Sequence, residues 1–191
     1  MPDPIGDGRV ARFETFFEQH YQEISGYVRR RLPESDADDA VGQIFMVAWR
    51  RFDRIPVSPQ DRLWLFGVAR RCVSDSHRSG LRRQRLQARL VQEHVEEPRP
   101  SVETGPVHAA IRIAMADLRP ADREVLQLVL WDDLSHAEAA ALLGCSVNAF
   151  ELRVRRAKRR LRDALDLPEG QVRSIEALRV VPAKTWRINP S

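Results

Sequence analysis

The stretch that decides the fold is LSHAEAAALLGCSVNAFELRVRRAKRRL, residues 134–161. Ser135 predicts the N-cap of a short helix, and Glu138 completes a capping box three residues later. Gly144 predicts the end of that helix, because glycine adopts the left-handed conformation after a helix at least cost. Ser146 is the expected N-cap of a second, longer helix. The stretch therefore predicts two successive helices joined by a tight turn.

The second helix of this pair is predicted to have one apolar and one cationic side. Its apolar side carries Val147, Phe150, Val154, Ala157, Leu161 and Leu165. Its cationic side carries Arg153, Arg155, Arg156, Lys158, Arg159, Arg160 and Arg162. A short helix that braces a longer cationic one is the arrangement of a helix-turn-helix, whose second helix enters the major groove of DNA. A basic helix that ends a helical hairpin without binding DNA is the alternative, and response-regulator output domains contain a similar unit.

The first helix of the pair is rich in small residues, which would let the two helices approach closely: Ala139, Ala140 and Ala141. Ala139, Leu142 and Leu143 are expected to face inward. Upstream, a short apolar helix is predicted to begin near Ala109, and Pro120 is expected to open the next helix. Residues 109–167 thus form one predicted helical domain. The acidic, proline-containing residues 91–108 predict a flexible linker.

The N-terminal half predicts three helices in a second small domain, residues 11–90. The first is expected to begin near Ala11 and to end at Pro33. The second is expected to start with Ser35 as its N-cap. Ser58 and Pro59 predict the start of the third helix, as an N-cap followed by proline at the first helical position. No segment alternates as a strand does, so the fold class is all-α.

The charge of the chain suits a nucleic-acid partner. The formal net charge is +4, from 31 cationic and 27 acidic side chains, and Lys158 and Lys184 are the only lysines. Arginine makes bidentate contacts with phosphate and guanine, whereas lysine does not. A GC-rich genome is the other explanation of the arginine excess. No apolar signal segment or membrane span is apparent, and Cys72 and Cys145 are too far apart for a CxxC motif, which favours a cytoplasmic protein without membrane insertion.

Catalytic and cofactor motifs are not found. The five histidines, His20, His77, His94, His108 and His136, lack metal-ligand spacing, and Cys72 has no evident base. There is no GxxxxGK[ST], GxGxxG or HExxH sequence. We therefore expect neither an enzyme nor a cofactor, and no small-molecule substrate.

Three segments, taken in order, resemble the extracytoplasmic-function (ECF) group of sigma-70 family RNA polymerase sigma factors. DADDAVGQIFMVAWRRF, residues 36–52, resembles region 2.2 of that family. LWLFGVARRCVSDSHR, residues 63–78, resembles regions 2.3 and 2.4. Residues 118–165 resemble region 4. The resemblance implies a region 2 helical bundle over 11–90 and a region 4 helix-turn-helix over 109–167, joined by the linker.

The resemblance also implies partners and site residues. Region 2.2 docks on core RNA polymerase, whose β′ and β subunits are the implied partners, and its positions here are Asp36, Asp38, Asp39, Gln43, Phe45 and Trp49. Regions 2.3 and 2.4 open and recognise the −10 element of promoter DNA, here through Arg70, Arg71, Ser74, Asp75, Arg78, Arg82 and Arg83. Region 4 recognises the −35 element, here through Asn148, Arg153, Arg155, Arg156 and Lys158. Core packing is the alternative role for Phe45, Trp49 and Trp64.

Departures from the family pattern concern specificity. Gly42 stands where a larger residue is usual, and Arg71 stands where asparagine is common. Glu151 puts a carboxylate where a cation often meets DNA; it is expected to pair with Arg155 four residues later, or else to accept from a cytosine amino group. An anti-sigma factor is a further implied partner. The tail, residues 168–191, is expected either to pack on a domain or bind a regulator, or to be partly disordered.

The predicted function is thus an alternative sigma factor that binds core polymerase and directs promoter-specific transcription initiation. A helix-turn-helix regulator that acts without polymerase is the main alternative. A protein whose main role is sequestration by a partner, with DNA binding lost, is a second. A nucleic-acid enzyme is a third, disfavoured by the missing catalytic motifs.

Overall fold

The computed structural model describes the backbone of residues 4–88 and 106–165, and the side chains of residues 8–80, 111 and 113–165. These residues form seven α-helices and one short 3-10 helix without any strand, which confirms the all-α prediction. The chain divides into two compact units, Met1–Arg99 and Pro100–Ser191. The predicted tail lies outside the described residues, as does the predicted linker except for its last three residues, which open a helix.

The first unit contains α1 (Pro4–Arg29), α2 (Glu34–Arg50), the 3-10 helix η1 (Phe52–Arg54) and α3 (Gln60–Ala88). The three α-helices pack on one another in pairs. Their shared core includes Ile24, Tyr27, Val28, Ile44, Ala48, Leu65 and Phe66, all of which are buried. Tyr27 and Phe66 meet edge to face, with ring centroids 5.3 Å apart, an arrangement that aromatic pairs favour.

Both N-caps predicted in the first unit are wrong. The cap of α2 is Pro33, whose carbonyl accepts a hydrogen bond from Asp36 N at 3.0 Å, and Ser35 lies inside the first turn. Acidic Glu34 and Asp36 in that turn favour the helix start through its dipole. The third helix begins after the serine–proline pair, at Gln60, whose N–H closes a turn on Val57 O at 3.1 Å.

The first helix begins at Pro4, seven residues before the predicted start near Ala11. Arg9 ties this added part of α1 to the end of α2 and to η1. Its Nη2 donates to Trp49 O at 2.7 Å, and its Nε donates to Asp53 Oδ2 at 3.2 Å. Because these partners lie about 40 residues away in sequence, helical periodicity could not reveal them.

The second unit contains α4 (Pro106–Asp117), α5 (Pro120–Leu130), α6 (His136–Leu143) and α7 (Val147–Ala164). α4 begins three residues before the predicted Ala109, while α5 opens on Pro120 as expected. Arg123 of α5 donates to Met115 O at 2.8 Å and to Leu118 O at 3.1 Å, and so satisfies carbonyls at the end of α4. One apolar core joins α4, α5 and α7 through Ile111, Ala114, Met115, Leu118, Leu126, Leu130, Ala157 and Leu161.

Candidate nucleic-acid and protein interfaces

One side of α2 is exposed to solvent. We call it the α2 face, and it consists of Asp38, Asp39, Gly42, Gln43 and Met46, all exposed. Asp38 is held by Arg29 of α1, with Nη2 and Oδ1 2.6 Å apart. Met46 is 53% exposed, which is unusual for a large apolar side chain in the middle of a helix. An apolar centre with acidic neighbours is a surface chemistry suited to a protein partner.

The remaining residues predicted for polymerase binding do not lie fully on that face. Phe45 is 5% exposed and packs on Phe17 with ring centroids 4.6 Å apart, so its role in this fold is core packing. Trp49 is partly buried between Phe13 and the Arg9 guanidinium, which lies 4.1 Å over its ring. Asp36 is partly buried in the first turn of α2. The structure thus brings Asp38, Asp39 and Gln43 together on the α2 face. Phe45 is buried in the core, and Asp36 and Trp49 are partly buried beside the face.

The middle and second half of α3 carry the residues predicted for the −10 element. Arg70, Arg71, Asp75 and Arg78 are exposed and Ser74 is partly buried. Arg71, Asp75 and Arg78 follow one another at intervals of four and three residues, which aligns them along one side of the helix, and Arg82 follows four residues later in the sequence. We call these residues, with Arg70, Ser74 and Arg83, the α3 strip. Asp75 pairs with Arg78, which partly offsets the charge of the strip.

Cys72 also lies on α3 and is partly buried. Burial raises the pKa of the Cys72 thiol, and the Asp75 carboxylate raises it further. A raised pKa leaves the thiol protonated at neutral pH, and the protonated form is a poor nucleophile.

The two helices predicted by residues 134–161 are present with their predicted caps. Ser135 Oγ accepts from Glu138 N at 3.2 Å, and Ser135 N donates to Glu138 Oε2 at 2.9 Å, which completes the capping box. Gly144 ends α6 with φ 66°, in the left-handed region. Ser146 Oγ accepts from Ala149 N at 3.2 Å and caps α7. These contacts set the tight turn of a helix-turn-helix.

The inner side of α7 consists of four buried residues: Phe150, Val154, Ala157 and Leu161. Ala139 and Ala140 of α6 are also buried, whereas Ala141 is exposed and Leu142 and Leu143 are only partly buried. Two of the three alanines predicted to let the helices approach closely are thus buried, and Ala141 is not. Val147, predicted for the apolar side, is 41% exposed.

Successive residues of a helix are about 100° apart, so the side opposite the core can be assigned. Its centre carries Asn148, Leu152, Arg155 and Arg159, all exposed, which we call the α7 outer face. Arg156 lies next to it. Arg153 and Lys158 lie on opposite flanks of the helix, the first exposed and the second partly buried. The residues predicted for the −35 element therefore lie on one helix, but they are on different sides of it.

Glu151 has a different partner from the one expected. Its Oε1 lies 3.5 Å from His136 Nδ1, so the carboxylate faces the first residue of α6 and not Arg155. His136 in turn packs on the buried Phe150, with ring centroids 5.6 Å apart. The predicted Glu151–Arg155 pair is wrong because the side chain of Glu151 leans towards the neighbouring helix, a direction that spacing along one helix does not reveal.

Two exposed apolar residues were not predicted for any site from the sequence. Leu152 is 40% exposed at the centre of the α7 outer face, which Arg159 of the predicted cationic side continues by two turns. Met46 lies on the α2 face. A helical wheel anchored on Phe150 and Leu161 would have identified Leu152, but Met46 looks like a core residue in any apolar pattern.

Within the described ranges, no group of three or more histidine, cysteine or acidic side chains is placed to hold a metal ion. None of the helices in this part of the chain combines the length and the apolar character that crossing a membrane requires.

Two family models match the chain, one on each unit. Sigma-70 region 2 matches residues 16–84, and Sigma-70, region 4 matches residues 108–161. The first covers α2 and the described part of the α3 strip, and the second covers the whole helix-turn-helix.

Curated relatives match across both units. The RNA polymerase sigma factor NccH of Alcaligenes xylosoxydans xylosoxydans is 31% identical over 178 residues, which cover 84% of this chain and 95% of NccH. The ECF RNA polymerase sigma factor SigC of Mycobacterium tuberculosis is 31% identical over 167 residues, covering 84% and 83% of the two chains. The fold is similar to that of the sigma factor RpoE of Bartonella quintana, solved with the anti-sigma factor NepR, with a TM-score of 0.68, 22% identity, and coverage of 83% and 99%.

Proposed function

The chain belongs to the sigma-70 family as an ECF sigma factor, and from this premise we propose that it binds core RNA polymerase through its first unit and contacts promoter DNA with both. As an alternative sigma factor it directs transcription initiation. The observation that carries the proposal is the order of the two matched regions, each on a unit with an exposed surface of suitable chemistry. An acidic and apolar face lies on α2, and cationic surfaces lie on α3 and α7.

The α2 face is the proposed contact with core polymerase, through its β′ and β subunits. Asp39 and Gln43 are exposed one turn apart, and Met46 supplies apolar area on the same side. Asp38 contributes through its pair with Arg29, and Asp36 and Trp49 border the face. Phe45 is buried beneath this face, where it packs on Phe17. Acidic rims steer association and set specificity, while a buried apolar centre supplies most of the binding energy.

The α3 strip is the proposed contact with the −10 element. Arg70, Arg71 and Arg78 present guanidinium groups to solvent, and Arg82 and Arg83 continue the same helix. A row of cations follows a phosphate backbone and stabilises single-stranded DNA after melting. Ser74 and Asp75 add hydrogen-bonding groups between the cations, where a base edge can be recognised.

The α7 helix is the proposed contact with the −35 element. Asn148 and Arg155 on the α7 outer face have the side chains that pair with adenine and guanine edges in a major groove. Arg156 lies beside them. For Arg153 and Lys158, which lie on opposite flanks of the helix, we propose contacts with the phosphates on the two sides of the groove.

The partners follow from the family. An anti-sigma factor is a further proposed partner, since RpoE of Bartonella quintana was solved with one. We assign the protein to the cytoplasm, where polymerase acts, and assign it no chemistry of its own, because bond formation during transcription belongs to the polymerase.

In vitro transcription of fragmented genomic DNA tests the proposal. Core polymerase is supplied with or without the full chain, and the 5′ ends of the transcripts are sequenced. We expect a set of start sites that require the protein and that share two upstream elements. The double variant Arg78→Ala, Arg82→Ala is expected to abolish these transcripts, whereas Arg54→Ala, an exposed arginine outside the α3 strip, is expected to retain them.

The same measurement separates the main alternative. Duplex binding by the protein alone, with no transcripts and no binding to core polymerase, would replace the sigma-factor assignment with a stand-alone helix-turn-helix regulator.

A further inference from the structure

We propose that Glu151 is a specificity-determining residue, which accepts a hydrogen bond from a cytosine amino group in the −35 element while His136 positions its carboxylate. The inference rests on the proposed function of α7. It concerns a residue that departs from the family pattern, so relatives do not supply its role.

The first step is the position of Glu151 on the recognition helix. It is the fifth residue of α7, and the N-terminal part of such a helix is the part that approaches base edges in the major groove. The side chain is 47% exposed, so about half of it is available to a partner. Glu151 and Asp163 are the only acids of this helix, and Asp163 lies at its far end beside Arg162.

The negative charge of Glu151 restricts the groups of DNA with which it can make a favourable contact. A carboxylate close to DNA is repelled by phosphates, and it weakens binding unless it meets a hydrogen-bond donor. In the major groove the N4 amino group of cytosine is the donor that carboxylates accept from. Among the described residues the ion-pair contact of Glu151 is with His136 and not with Arg155.

The Glu151 carboxylate contacts His136 through one of its two oxygens. Oε1 faces His136 Nδ1 at 3.5 Å, and within the described residues no hydrogen bond is made by Oε2. The His136 ring is itself held against Phe150, which is fully buried in the core. A carboxylate that already contacts His136 at one oxygen and is open at the other loses less conformational entropy on binding than a side chain without such a contact, and this favours recognition by the open oxygen.

Leu152 fits the same interpretation. It is 40% exposed at the centre of the α7 outer face. Contact with water does not stabilise an apolar side chain, whereas contact with an apolar group of a partner does. The methyl group of thymine is the apolar feature of the major groove. The exposed surface of α7 therefore offers the Glu151 acceptor on one flank and the apolar Leu152 on the α7 outer face, beside its cations, a combination that selects bases rather than only binding phosphate.

The test is selection from a promoter library. One promoter identified with the full chain and core polymerase carries a randomised −35 element, and the templates that yield transcripts are sequenced. For the unchanged protein we expect cytosine, on one strand, at one position. For Glu151→Gln we expect that preference to change towards adenine, by about fivefold or more, because glutamine pairs with the N6 and N7 atoms of adenine.

His136 is tested as a positioning residue in the same library. His136→Ala is expected to weaken the preference at that position alone, and His136→Gln, which can still donate to the carboxylate, is expected to restore part of it. Glu18→Gln, an exposed glutamate on α1 of the first unit, is the matched control and is expected to leave every position unchanged.

The possible outcomes separate a failure of the inference about Glu151 from a failure of the proposed function. If the unchanged protein selects a −35 element and Glu151→Gln selects the same bases, this inference is overturned and the proposed function stands. If the library yields no transcript that needs the protein, the proposed function fails, and the inference fails with it.

Discussion

Arg160 of α7 pairs with Asp122 of α5, with Nη1 and Oδ2 2.5 Å apart, and this pair joins two helices separated by 38 residues of chain. The Asp122 side chain is only 12% exposed, whereas that of Arg160 is 40% exposed. A carboxylate with so little access to water depends on its partner, because its charge would otherwise be poorly solvated.

We expect Arg160→Ala to lower the free energy of unfolding of the second unit by about 1–2 kcal/mol, a reduced value because the arginine is partly exposed. Hydrogen exchange of the α5 and α7 amides, followed by mass spectrometry, measures this unit separately from the first. Arg159→Ala, an exposed neighbour, is the control and should change protection by less than about 0.5 kcal/mol. Equal effects of the two substitutions would contradict a specific role for the pair.

Gly42 lies in the interior of α2, and a Cβ built there has no atom within 4 Å. We expect Gly42→Ala to raise the stability of the first unit by about 0.5–1 kcal/mol, because alanine restricts the unfolded chain and favours the helix. Exchange of the α2 amides is the measurement. Gly144→Ala, measured by exchange of the α6 amides of the second unit, gives the opposite control: the left-handed φ of 66° makes alanine unfavourable there by about 1 kcal/mol. Lower protection of α2 in Gly42→Ala would refute the prediction.

Charge reversal on the α2 face tests the proposed polymerase contact. We expect Asp39→Lys to weaken binding to core polymerase by about tenfold, since a reversed charge in an interface meets like charges and unpaired groups. Competition against the unchanged protein for core polymerase gives the ratio of affinities. Glu18→Lys makes the same change at an exposed position of α1. A similar loss with both variants would indicate a general charge effect and not a contact at Asp39.

The thiol of Cys72 should be unreactive at neutral pH. Burial and the Asp75 carboxylate raise its pKa, so the thiolate is scarce until the pH exceeds the ordinary value for cysteine. In a Cys145→Ser background we expect iodoacetamide to react more slowly than with a free cysteine. Asp75→Asn should lower the pKa and accelerate the reaction by about twofold at fixed pH, a small effect because the carboxylate is exposed to solvent. A rate that does not respond to Asp75→Asn would show that burial alone sets this pKa.

The helix-turn-helix was predictable in detail because its determinants are local. Ser135, Glu138, Gly144 and Ser146 act on backbone groups within four residues, so their types and spacing suffice. The wrong N-caps at Ser35 and Ser58 show the limit of this logic. A proline just before a helix, or a turn closed by Val57, competes with a serine cap and cannot be recognised from residue types alone.

Residue types and periods of three and four along the chain by themselves determined the helical class, the buried sides of α2 and α7, and the order of the two regions. The tertiary structure decided which predicted residues reach solvent. It buried Phe45 against Phe17, placed Arg9 over Trp49, and turned Glu151 towards His136. The physical reason is range: capping and amphipathicity act within a few residues, whereas burial and charge pairing depend on neighbours that only packing of distant helices brings together.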